Sequence, residues 1–377
     1  MLVTGGNVFV DGTFVEADIE LDRELITRVA EGGLPPEGQA TYDVSGCYVV
    51  PGFIDLHFHG CDGADLCDGT SEALEAIARW EAAHGITAIC PATMTYPEDV
   101  LGDVMDAAAA FDSPGQPFAA LVGINMEGPF ISPARVGAQN PAYVQRCDAA
   151  MVRRLDERVG GLVKLVDVAP EEPGALEFIE EMASTVRISL AHTCADYDCA
   201  AAAFAAGARQ LTHTFNAMPP LHHRNPGPIA AAAERDDVFA ELIADGVHVH
   251  SAMVRLAFKL FGPDRVVLIS DSMRATGMGD GTFDLGGQDV FVKGTHATLA
   301  DGTLAGSVTD LASCVRIAVT EMGIPLAHAI GAATANPARA LGVFGERGSI
   351  AVGKVADLVV LDAQLNVRDV ILRGSLL

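Results

Sequence analysis

The sequence predicts an α/β protein: a (β/α)8 TIM-like barrel with a small β-sandwich domain built from both chain ends. Three observations lead there. Eight short apolar segments recur through the middle of the chain, most of them about 20 to 30 residues apart. Alanine-rich stretches of helical character lie between them. The two ends share a different texture, in which short β-prone runs are punctuated by Gly and Asp.

The first end covers residues 1–50. In "NVFVDGTFVEADIEL" an Asp-Gly pair separates two β-prone runs, which predicts a hairpin. "ATYDVSGCYVVPG" adds a further turn-punctuated β segment, and "GSIAVGKVADLVVLDAQLNVRDVILRG", within 345–377, repeats the pattern. The two ends are expected to pair into one domain, which brings the termini together. Between them, residues 51–344 are expected to form the barrel. Its strands are read in "FIDLHFH", "ITAICPATM", "AALVGINME", "VKLVDVAPE", "VRISLAH", "RQLTHTF", "ELIADGVHV" and "VVLISD". "SEALEAIARWEAAHG" and "ADYDCAAAAFAAGA" read as intervening helices, each ending in Gly or a Gly-containing turn, as C-caps prefer. The competing architecture is an open doubly wound sheet. The absence of a Gly-rich dinucleotide fingerprint after the first of these strands weakens its cofactor-binding version.

Composition narrows the function. Half of the residues are hydrophobic and 20% are charged, so a large core can be buried. The 24 basic and 50 acidic residues give a formal net charge of −26, which argues against nucleic acid as a partner. None of the eight cysteines forms a CxxC pair, so a zinc ribbon is not expected, and most read as buried free thiols of a reducing compartment. The N-terminus reads as strand and turn rather than signal peptide, and no apolar run reaches the roughly 18 residues of a membrane span. These points give a soluble cytoplasmic protein as the expectation.

Chemistry gathers at the strand ends. In a barrel the C-terminal ends of the strands form the active face. His57 and His59 lie two apart on the first strand and so share a face. Glu127 ends the third strand, His192 the fifth and His213 the sixth; His248 lies on the seventh and Asp271 ends the eighth. Five of the 11 histidines thus fall at active-face positions. Singly, each has a structural explanation, such as a strand-end histidine or a helix-capping Asp. Together, Glu127, His192 and His213 supply the two imidazoles and one carboxylate that can hold a catalytic zinc with an open position. His57 and His59 could hold a second ion with Glu127 bridging. Asp271 is placed to take a proton from an activated water.

With these residues in view, the chain resembles the N-acetylglucosamine-6-phosphate deacetylases of the amidohydrolase superfamily. The carriers are "PGFIDLHFHG", "INMEGPFISP", "LAHT", "LTHTFNAMPPLHHRNPG", "IADGVHVH", "LISDSMRATGMGDGTFDLGG", "DGTLAGS" and "ATANPARALG", which span nearly the whole chain. The resemblance implies Glu127, His192 and His213 as ligands of the main metal. It implies His57 and His59 as a site that some members fill and others lack, hence one or two divalent ions per subunit, zinc or ferrous iron. It implies Asp271 as general base and later acid. Asn216 and Ala217 match a segment touching the sugar phosphate. Arg224 and His248 match the phosphate-binding pair, the Arg donated by a neighbouring subunit, which implies a homodimer. Leu304, Ala305 and Gly306 match a loop beside the acetyl group. His222 and His223 are expected in exposed loop, and Lys164 as structural rather than a metal bridge.

One position departs from the pattern. Where the family usually reads Gly-x-His-x-Pro after "EGPF", this chain has "VGAQNPAYV", with Gln139 at the His position. That His helps polarise the substrate carbonyl, whereas a Gln amide carries no charge. An ion at His57 and His59 is the expected replacement, and altered substrate preference the other consequence. The activity implied is metal-dependent hydrolysis of N-acetylglucosamine 6-phosphate to glucosamine 6-phosphate and acetate. Deacetylation of a related N-acyl amino sugar, such as N-acetylgalactosamine 6-phosphate, is the neighbouring reading. A cyclic-amide hydrolase lacks its bridging Lys here. A non-catalytic barrel scaffold is the reading from another class, opposed by the intact ligand set and base.

Overall fold

A computed structural model describes residues 1–36, 38–111 and 116–377. All eight middle segments form strands of a parallel barrel. In order they are Phe53–Asp55, Ile86–Ile89 continued by Ala92–Thr93, Ala120–Leu121 continued by Ile124–Phe130, Val163–Val168, Arg187–Leu190, Gln210–Leu211, Phe239–Ile243 and Val266–Ile269. Each pairs with its sequence neighbour, with pairing passing from one side to the other at the break in the second strand. The ring closes between the eighth and first strands through Asp271 N to His57 O, 3.0 Å, and His59 N to Ser272 O, 2.7 Å.

A helix follows each strand. The two read from the sequence are Ser71–Ala83 and Tyr197–Ala206. Thr70 caps the first by accepting from Ala73 N, and Asp196 caps the second by accepting from Cys199 N. Gly85 and Gly207 lie just beyond their ends, at φ +90° and +130°, where a side chain is rarely tolerated. The helices bury their apolar sides against the outer barrel surface in one large core that includes Leu74, Ile77, Phe130, Phe178 and Phe204.

The chain ends pair as expected. Leu2–Val10 and Thr13–Asp22 form the hairpin, and its turn residues Asp11 and Gly12 sit at φ +46° and +82°, as a two-residue primed turn demands. Tyr48–Pro51 joins Leu2–Val10 on one side and Leu358–Leu361 on the other, knitting both ends of the chain into one eight-stranded sheet. The sheet curls until Leu25 bridges Val355, enclosing Val8, Ile19, Ile26, Val49, Leu358 and Ile371.

A sheet at the barrel mouth was not read from the sequence. Gly281–Leu285, Gln288–Lys293 and His296–Thr298 form a three-stranded antiparallel sheet after the eighth barrel strand. Leu285, Val290 and Ala297 pack with Met94, Met273 and Ala305 at the mouth of the barrel. Of the eight cysteines, Cys47, Cys61, Cys90 and Cys314 are buried, Cys194 is exposed and the rest are half-buried; all are free thiols. Among the described residues, no helix is long and apolar enough to cross a membrane.

Candidate metal centre

The C-terminal strand ends bring six ionisable side chains together. Two groups could each hold an ion: Glu127, His192 and His213, and His57, His59 and Asp271. All six are buried. Glu127 lies at the centre. Its Oε1 is 3.0 Å from His192 Nε2, 3.1 Å from His213 Nε2 and 3.5 Å from His57 Nε2, while Oε2 is 3.3 Å from His59 Nε2. Asp271 Oδ1 lies 3.5 Å from His59 Nε2 and 3.9 Å from His57 Nε2.

The backbone is bent to achieve this. His192, His213 and Asp271 all have positive φ, +42°, +26° and +50°, which non-glycine residues rarely adopt. Such outliers gather where a site must hold side chains that relaxed strands would aim elsewhere. Gly306 answers a related constraint, since a Cβ there would lie 2.8 Å from Asp271 O. Only glycine lets the 304–307 loop approach the eighth strand this closely.

Charge is shared unevenly. Burial alone would raise Glu127, yet His57, His192 and His213 hold its carboxyl well below the usual carboxylate range. Burial would lower His59, but Asp271 and Glu127 push it up to about 10. His57 is likewise lifted well above the ordinary imidazole range, by Glu241 and Glu127 against its burial. Asp271 is held low by His59 and His57, despite its own burial.

The family model described as "Amidohydrolase family" matches residues 48–377. An N-acetylglucosamine-6-phosphate deacetylase from Bacillus subtilis (strain 168) is 37% identical over 359 residues, 94% of this chain and 91% of that one. The chain belongs to the amidohydrolase family and, within it, to the N-acetylglucosamine-6-phosphate deacetylases. A relative from Escherichia coli O157:H7, named N-acetylgalactosamine-6-phosphate deacetylase, is 37% identical over 329 residues, 87% of each chain. Among solved structures, a mutant N-acetyl-D-glucosamine-6-phosphate deacetylase from Mycobacterium smegmatis, in complex with N-acetyl-D-glucosamine-6-phosphate, superposes with a TM-score of 0.94 at 35% identity. It covers 100% of this chain and 98% of that one.

Amidohydrolases are metal-dependent, and the donor set of this deacetylase-family chain fits a divalent cation. His57 Nε2 is buried without a hydrogen-bond partner among the described residues, and it faces Glu127 and Asp271. Imidazole nitrogens and carboxylate oxygens are the ligands that zinc and ferrous iron share. Histidines with raised pKa carry protons at neutral pH in the metal-free protein, whereas a ligating imidazole must be neutral. Metal loading is therefore expected to release protons near neutral pH, and to release fewer as pH rises through about 10. Titration of metal into weakly buffered protein reads this directly. Uptake with no acidification would remove His57 and His59 from the ligand set.

The other sequence-selected residues of the amidohydrolase divide. A cavity of about 490 Å³ opens over the metal groups, and Gln139, Asn216, Ala217, His248, Leu304, Ala305 and Gly306 all line it. Asn216 N and Nδ2 both donate to His213 O, fastening the segment after the sixth strand. Burial opposes charge on His248, but Asp245, 2.7 Å from its Nδ1, raises it to about 9; its Nε2 donates to Ala305 O at 2.9 Å. Gln139 is buried and already engaged. Its Oε1 accepts from Thr95 N at 2.7 Å, which orients Nε2 to donate to Glu127 Oε2. Arg224, His222 and His223 are exposed, and Arg224 does not line the cavity of its own chain. Lys164 lies near the start of the fourth strand with its ammonium on Gly161 O, away from the metal groups.

Two participants were missed. Arg135 lines the cavity, and its carbonyl accepts from His192 Nδ1 at 2.8 Å. Glu241, fully buried on the seventh strand, has Oε2 2.9 Å from His57 Nδ1. A carboxylate inside the apolar run "FAELIA" was the available signal for the second.

Proposed function

We propose that this chain hydrolyses the acetamide of N-acetylglucosamine 6-phosphate to glucosamine 6-phosphate and acetate. The observation that carries the reading is the convergence of Glu127, His192 and His213 beside Asp271, beneath a cavity large enough for a hexose phosphate. Relatives and solved structures named for this deacetylation span nearly the whole chain. Glu127, His192 and His213 would hold one ion, zinc by preference and ferrous iron as the alternative. His57 and His59, with Glu127 between the two groups, would hold a second. When bound, such ions supply Lewis-acid polarisation of the amide carbonyl and make water ionisable near pH 7.

The chain's own residues do the rest. Asp271 takes the proton of the attacking water and returns it to the nitrogen as the C–N bond breaks. Water supplies the oxygen of acetate, and the amine leaves protonated rather than as an anion. Gln139 spends its amide on Glu127 and so steadies the shared carboxylate instead of the substrate carbonyl. Ala305 and Gly306 shape the wall beside the acetyl group. Asn216 and Ala217 face the sugar phosphate, and His248, braced between Asp245 and Ala305 O, lines the same cavity.

Arg224 completes the phosphate clamp from a second copy of the chain, which makes the working protein a homodimer. Its exposure, and a cavity in its own chain that it does not line, support this assignment. Arg224→Ala is expected to raise KM for the phosphorylated sugar by about tenfold or more, with little change for the unphosphorylated one. Equal changes for both sugars would remove Arg224 from the clamp. The cytoplasm, where such a phosphorylated substrate would be found, suits eight free thiols. The proposal as a whole is tested by acetate release across N-acetyl hexosamines with and without 6-phosphate. A preference for the galactosamine epimer would favour the reading suggested by the Escherichia coli relative.

A further inference from the structure

We propose that Glu241 is a positioning residue that fixes His57 for the second divalent ion and thereby sets how tightly that ion is held. The inference rests on the two-ion reading above. Glu241 lies on the seventh barrel strand, flanked by Ala240 and Leu242, with no exposed surface. A carboxylate is rarely left there unless its oxygens are engaged.

They are engaged from three directions. Oε2 is 2.9 Å from His57 Nδ1 and 3.3 Å from His213 N, and Oε1 accepts from Gln210 Nε2. The first and sixth strands are thereby tied to the seventh directly beneath the candidate ligands. An ionised carboxylate can only accept, so Nδ1 of His57 must carry its hydrogen. With Nδ1 so occupied, Nε2 is the ligating nitrogen, and it is the buried atom that faces Glu127 and Asp271 without a hydrogen-bond partner.

The arrangement differs from that of the neighbouring histidines. His59 Nδ1 is 3.2 Å from Ala92 O, and His192 Nδ1 is 2.8 Å from Arg135 O. Both partners are neutral carbonyls. His57 is held by a carboxylate, which makes the imidazole more electron-rich and orients it more firmly. The effect of Glu241 should therefore fall on the ion at His57 and His59, and much less on the ion at Glu127, His192 and His213.

Glu241→Gln is the discriminating variant. Its oxygen can still accept from His57, and its NH2 can donate to Gln210 Oε1, which has no partner among the described residues. The fold is thus kept while the charge is lost. Metal competition against a chromophoric chelator, on wild-type and variant protein, measures each ion's affinity. The second ion should weaken by about 10- to 100-fold in the variant, with the first changed far less. Glu241→Asp, which retreats from His57 but keeps the charge, should weaken the same ion. Two ions in wild type, both held unchanged in Glu241→Gln, would overturn the proposal. So would equal weakening of both ions, the mark of a merely structural carboxylate. A single ion in wild type would instead overturn the two-ion reading, and this inference with it.

Discussion

Asp271→Asn is expected to keep the ion at Glu127, His192 and His213 and to cut kcat by about 10²- to 10⁴-fold. The residue is anchored apart from its carboxylate. Its N–H donates to His57 O at 3.0 Å, and its carbonyl accepts from Ser307 N at 2.7 Å. Asn matches Asp in shape and tolerates the φ of +50° better than most residues. What the substitution removes is a carboxylate kept ionised, against its burial, by His59 and His57. An amide cannot take the proton of water or hand it on. Steady-state kinetics with metal analysis on the same sample separates base loss from metal loss. Activity within about tenfold of wild type would place the base elsewhere.

His192→Ala is expected to empty the main site. His192 Nε2 lies 3.0 Å from Glu127 Oε1 and 3.1 Å from His213 Nε2, and among the described residues the group that could hold this ion comprises Glu127, His192 and His213. Its removal leaves one imidazole and one carboxylate, too few for tight binding of zinc. The variant should purify without the ion that the wild type retains, and acetate release should fall to background. A fully loaded His192→Ala protein would contradict the ligand set.

Much of this was legible in the chain. The eight barrel strands could be read because each is a short apolar run ending near a polar residue and spaced from the next by a helical stretch, two of which, Ser71–Ala83 and Tyr197–Ala206, carry a side-chain cap and a following Gly. His57, His59, Glu127, His192, His213 and Asp271 could be found because strand order alone sends their positions to one face. What stayed hidden depends on three-dimensional detail. The positive φ of His192, His213 and Asp271 leaves no mark on residue type. Glu241 looked like one acidic residue in a chain with 50, until the barrel closed it against His57. The sheet over residues 281–298 is written in three short strands joined at Gly286–Gly287 and Gly294, in which only Leu285, Val290, Val292 and Ala297 are buried, too few apolar positions to mark an element. Gln139 was read as a change at the substrate carbonyl. Its partners Thr95 and Glu127, 44 and 12 residues away, could be known only from the fold.

The central claim is that acetamide hydrolysis depends on divalent metal at this cluster. Its most direct test is acetate release from N-acetylglucosamine 6-phosphate while zinc is titrated into metal-free protein. The account predicts no turnover without the ion and a rise that reaches its plateau only after a second equivalent. Turnover by metal-free protein, or none by fully loaded protein, would contradict it.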